Sequence, residues 1–211
     1  MKITDPFLDV NGLVLPNPKH EEKPSDNGVY FTSVSVLLDF EVPDYENKVR
    51  ECYLEPGLVG RWKGNNFDNC AWDDYLGIAA ASIKLKQTAI PREILRYGIR
   101  HCFIYNTNGV LEGKDFLLRN IPIWPIMICA AFPILRSPMK LILWAVQKFF
   151  DRPYDLIYAN NSSGYQLQWV YLEACRLIGI EFKSYQTHKQ LLCLAFRQYY
   201  SADHPFNGLP L

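Results

Sequence analysis

The spacing of apolar and polar residues along the chain follows a helical period over most of its length. In PREILRYGIRHCFIYN, residues 91–106, Ile94, Leu95, Ile99, Cys102 and Phe103 recur three and four apart, which places them on one helix face. Pro43 is expected at the start of the helix DYENKVRECYL, whose acidic first turn suits a helix N-terminus. WDDYLGIAAASIKL, from Trp72, combines an acidic start with an apolar and small-residue body. Ser137 and Pro138 read as N-cap and first residue of PMKLILWAVQKFF. In SSGYQLQWVYLEACRLIG, Ser163 and Gln166 stand at capping-box spacing, and Gly179 predicts the stop. Thr187 and Gln190 repeat that device ahead of a last helix. The segment GVYFTSVSVLLDF is ambiguous: Asp26 or Asn27 could cap a helix, while the alternation of Val34, Val36 and Leu38 with Ser33 and Ser35 also suits a strand.

Between these elements the punctuation is turn-like. Pro56, Gly57, Gly60 and Gly64 argue against regular structure in EPGLVGRWKGNN. Without βαβ alternation or a fixed-period repeat, the chain is predicted to be all-α. The expected form is a compact single domain, residues 28–211, of about seven or eight helices in antiparallel hairpins, with a partial (α/α) toroid as one arrangement. Residues 1–27, rich in Pro, Asn, Asp and Lys, are expected to form an extended N-terminal arm laid over it.

Composition changes this picture only by exclusion. With 49% hydrophobic and 14% aromatic residues the chain can bury a core. Its 22 basic and 22 acidic residues cancel, which removes the electrostatic argument for binding nucleic acid. The six cysteines form no CxxC pair, so they read as reduced, buried thiols rather than a metal or redox site. No two histidines share metal-ligand spacing, and neither a P-loop nor a GxGxxG is present, so no metal or cofactor is implied. The start MKITDPFLDVNG lacks an apolar stretch and predicts no secretory signal. The apolar segment Ile121–Leu135 holds three prolines and is shorter than the roughly 20 residues a spanning helix needs. It is expected to be a buried, kinked core segment, with a membrane role secondary.

Candidate chemistry concentrates around DNCAWDDY. Adjacent helical residues point about 100° apart, so Asp73 and Asp74 cannot both aim at one atom. In the structural reading Asp73 caps the helix and Asp74 meets its dipole. In the functional reading Asp74 turns into a cleft floored by Trp72 and Tyr75, where desolvation raises its pKa and makes it a general acid. Glycan chemistry then needs a second carboxylate, with Glu55 the first candidate and Asp68 the second. Arg61 and Trp62, in the Gly-rich turn, could hold a carboxylate or a sugar face, or simply tie down the turn.

Three motifs in this region also carry a resemblance. Asn27-Gly28 with Tyr30 or Phe31 and Thr32, Glu55-Pro56-Gly57-Leu58 with Arg61, and Asp73-Asp74 with Gly77 are similar to motifs of a group of tailed-bacteriophage proteins. The chain departs from them at Ala71-Trp72, where the group's pattern has Ser-His. The resemblance implies a phage origin and a location in the infected bacterial cytoplasm or the virion. Two functions are expected from different classes. One is a non-enzymatic virion or assembly adaptor that binds another protein. The other is a carbohydrate-active hydrolase or lyase using Asp74 and Glu55, with sugar held by Arg61, Trp62 and Trp72.

Overall fold

A computed structural model of the protein describes residues 7–9, 12–14, 28–64, 70, 72–103, 105, 123–149, 162–182, 185–186, 189–190 and 203–208. Among these residues the fold is all-α, with seven α-helices and one two-stranded hairpin. The helices are α1 Gly28–Leu37, α2 Tyr45–Glu51, α3 Trp72–Leu85, α4 Ala89–Arg100, α5 Ile123–Ala131, α6 Arg136–Phe149 and α7 Ser162–Leu177. The strands are β1 Tyr53–Glu55 and β2 Leu58–Val59.

The ambiguous first segment is a helix buried on every side. All ten residues of α1 are buried, so no polar face exists to mark a helical period. Its hydroxyls donate back to the preceding turn: Thr32 to the Gly28 carbonyl at 2.6 Å, Ser33 to Val29 at 2.8 Å and Ser35 to Phe31 at 2.8 Å. Polar residues at alternate positions are thereby satisfied within the helix, which removes the cost of burying them. Part of the N-terminal region leans on this helix. Leu13 and Val14 are buried, and the Val14 amide donates to Thr32 Oγ1 at 3.0 Å.

α3 is the centre of the packing. It lies against α1 most extensively and also against α4, α5 and α7. Small residues make this possible: Ala79, Ala80 and Ala81 are wholly buried, and a Cβ on Gly77 would stand 3.1 Å from Ser33 Cβ and 3.3 Å from the Tyr30 ring. At the far end, Lys84 Nζ donates to the Leu37 carbonyl and pairs with Asp39, both at 2.7 Å.

Several sequence expectations need correction. EPGLVGRW is not irregular: Tyr53 pairs with Val59 and Glu55 with Leu58 across an antiparallel hairpin. Pro56-Gly57 makes its turn, with Gly57 at φ 93°, the conformation a type II turn requires at its third residue. Pro43 lies ahead of α2 rather than at its first position, and Asp44 precedes the helix in a left-handed conformation. α4 ends at Arg100, because Cys102 and Phe103 both take positive φ. Ile99, assigned to its buried face, is exposed, whereas Ile94 and Leu95 are buried. Ser137 and Ser163 are not N-caps but lie inside α6 and α7. Pro138 is tolerated in the first turn of α6, where its missing N–H has no intrahelical partner to lose. Gly179, at φ 83°, does close α7: its amide donates to Arg176 and that of Ile180 to Cys175. Thr187 lies outside the described residues.

Candidate functional site

The end of the hairpin meets the start of α3. The Tyr75 hydroxyl accepts a bond from the Val59 amide at 3.0 Å and is 3.5 Å from the Val59 carbonyl, so it fastens β2 to the first turn of α3. The next residue but one, Arg61, accepts from the Val29 amide at 3.2 Å and so joins the same corner to α1. Tyr75 is therefore a buried bolt rather than the floor of a cleft, and burial raises its pKa well above the ordinary value.

Asp73 and Asp74 diverge as their helical spacing demands. Asp73 is half-buried, within the first turn of a helix that begins at Trp72. Burial raises its pKa, opposed by the Arg61 charge and by the backbone amides of Asp73 and Asp74. Asp74 points into the core and is 0% exposed. Neither of its oxygens makes a hydrogen bond of acceptable geometry. Its pKa lies well above the ordinary carboxylate value, first through burial and then through the charge of Asp73; Arg61 and the nearby Tyr30 amide oppose the shift without cancelling it. Burial thus favours the protonated form of this carboxyl group.

The buried acid has polar neighbours. Its charge, if formed, would act on Tyr45 and Cys52, both already shifted upward mainly by burial. Tyr45 Oη shares a 2.8 Å bond with Ser33 Oγ. That bond joins α1 to α2, and the Asp74 carboxyl of α3 is near enough for its charge to be felt by Tyr45.

Glu55 lies elsewhere. It is exposed on the turn of the hairpin, where its charge raises the pKa of Tyr97 on α4, after burial as the leading cause. That turn is pressed on α4, since a Cβ on Gly57 would come within 2.3 Å of the Glu93 carbonyl oxygen. The expected open cleft with Asp74 on one wall is absent, because Asp74 touches no solvent. Trp62 and Trp72 are half-buried and pack on the core. Asp68 lies outside the described residues. The structure thus joins Arg61 to Asp73 and Asp74, and leaves Glu55 on the surface beside Tyr97.

Two acid clusters, one buried and one half-buried, escaped the sequence reading. Glu173 on α7 is 2% exposed and is held by Arg176 at 2.6 and 2.8 Å and by the Tyr185 hydroxyl at 2.5 Å. Tyr185 is pushed up to about 12 by burial and by that carboxylate. Glu93 on α4 accepts from Tyr53 at 2.7 Å and from Arg50 at 3.2 Å, linking α2, β1 and α4. The three-residue spacing of Glu173 and Arg176 was the available signal. His204 is buried between Phe7 and Phe206, with ring centroids 4.9 and 4.6 Å away.

Among the described residues no cluster of His, Cys, Asp or Glu could hold a metal ion. No helix among them is long and apolar enough to cross a membrane. No family model, curated protein or solved structure matches the chain.

One surface does stand out. The expected core segment Ile121–Leu135 divides in two: α5 is mostly buried, but the turn that follows is not. Ile134 is 88% exposed, and on α6 Leu141 is 68% and Trp144 51% exposed. Phe132, Leu135 and Ile142 are also exposed. The spacing 134/135, 138, 141/142, 145 follows one helix face away from the core, while Leu143 faces inward.

Proposed function

We propose that this protein is a non-enzymatic adaptor that binds another protein through the apolar face of α6 and the turn before it. The observation that carries the reading is the run of exposed large apolar side chains from Ile134 to Trp144. Single exposed apolar residues are ordinary, but a contiguous row along one helix marks a contact surface. A tryptophan at the end of a row of leucine and isoleucine adds the aromatic residue enriched at interface anchors. In the setting that the phage resemblance implies, the partner is a virion or assembly component.

The test is site-specific photo-crosslinking in infected host cells from residue 141, with the exposed position 51 as control. One discrete protein adduct from 141, absent from 51, supports the adaptor. An adduct pattern identical at both positions, or none, overturns it.

The carbohydrate-active alternative rests on one observation, the Asp74 carboxyl whose pKa is raised by burial near the Arg61 charge, which suits a general acid. It requires a rearrangement that admits substrate to a residue now sealed from solvent. Glycan cleavage abolished by Asp74→Asn with the fold retained would favour it over the adaptor.

A further inference from the structure

Resting on the adaptor reading, which leaves open the protein seated on the α6 face, we infer that its occupant is a second copy of this chain, packed α6 to α6 across a two-fold axis. The exposed side of this segment is uncharged. Between Phe132 and Ala145 the sequence has two charged residues, Arg136 and Lys140. They stand seven and three positions before the buried Leu143, so they share its inward side of the helix. Their contacts agree. Arg136 Nε reaches the Cys129 carbonyl on α5 at 3.4 Å, and the Lys140 amine packs on Gly179 beyond α7, 2.8 Å from where a Cβ would stand. Both charges also oppose the upward push of burial on the Cys129 thiol. The outward side then carries the apolar row, with exposed Pro133, Ser137 and Pro138 between its members and no formal charge.

Area and charge both favour the copy. At about 200 Å² for a large apolar residue, the six exposed apolar side chains from Phe132 to Trp144 present about 650 Å². Pro133, Ser137 and Pro138 bring the face to roughly the 800 Å² per partner of a standard interface. A face without charge offers a different protein no electrostatic complement by which to be selected. Meeting itself, it sets no like charges together, and interfaces between identical chains are the more apolar class. A lipid surface calls for cations along the border of the apolar face, and here both are turned away from it. In an antiparallel crossing centred between Pro138 and Leu141, the Ile134 end of one copy meets the Trp144 end of the other over about 15 Å.

Sedimentation velocity of the full chain tests this. At tens of micromolar, where interfaces of this size associate, the wild type is expected at twice the mass of one chain. Leu141→Asp, and separately Ile134→Asp, should each return it to the mass of one chain with the circular dichroism unchanged, since both side chains are exposed. The inference is overturned by a wild type that stays at the mass of one chain, by a dimer that survives both substitutions, or by a single-chain species that floats with phosphatidylcholine–phosphatidylglycerol vesicles. The residue-141 photo-adduct separates this outcome from the adaptor reading. An adduct of two copies of the chain supports both. An adduct with a different protein, from a chain that sediments alone, ends the inference and leaves the adaptor standing; a dimer that gives no adduct does the reverse.

Discussion

A carboxyl group without solvent and without a hydrogen-bond partner keeps its proton, and Asp74 meets both conditions. Its ordinary value is 3.8 and its folded value lies well above, chiefly through burial and then through Asp73. In the window between them the unfolded chain has released a proton that the folded chain retains. Stability therefore falls as pH rises from about 4, by about 1.4 kcal/mol per pH unit for this group, and levels off above the folded pKa. Asp73 shifts in the same direction, so the native protein carries both slopes. Asp74→Asn, which keeps the shape and cannot ionise, should flatten the profile and stabilise the protein relative to wild type near neutral pH. Urea denaturation across pH measures this; parallel wild-type and variant profiles would show that Asp74 is ionised in the fold. The neighbouring Tyr75→Phe should cost about 1 kcal/mol at any pH below tyrosine ionisation, because only the bond to β2 is removed.

Among the elements, the α1–α3 contact is the most extensive and is one where small residues are required. Gly77 already sits at the limit of approach to Ser33 and Tyr30, so Gly77→Val should destabilise by about 1–3 kcal/mol through overpacking, visible as a lower denaturation midpoint with an unchanged m-value. A midpoint shift below experimental error would mean that α1 can move away without loss. The same contact explains what could be read in advance. The body of α3 was legible because its apolar run, acidic start and lysine-bearing end agree. α1 was not, because a helix buried all round has no face to reveal its period, and its serines mimic strand alternation. The hairpin was missed because Pro and Gly mark both loops and tight two-residue turns. Asp73, Asp74 and Arg61 were legible as neighbours; that Asp74 lies inside and Glu55 outside depends on how the hairpin rotates over α4, which no local pattern encodes. Ile134 looked like core because apolar sequence does not declare which side it faces.

On the scale of the whole molecule, the thiols report whether this packing is a single unit. Cys52 follows α2, Cys129 lies on α5 and Cys175 on α7; all three are buried and free. Burial pushes them up to about 12, 11 and 12, so in the native state they carry almost no thiolate. Cys102, just past α4, is exposed and should react first with a thiol reagent, contrary to the expectation that the cysteines are uniformly buried. Cys129 and Cys175 sit on helices that meet each other and α3, and Cys52 is buried in the same hydrophobic core. If the core is one cooperative body, they become reactive together, at a rate set by global opening and falling with one common denaturant dependence. Pulsed alkylation with mass mapping of each cysteine measures this. Cys175 reacting at low denaturant while Cys52 stays protected would show instead that α7 opens separately from the corner holding Asp74.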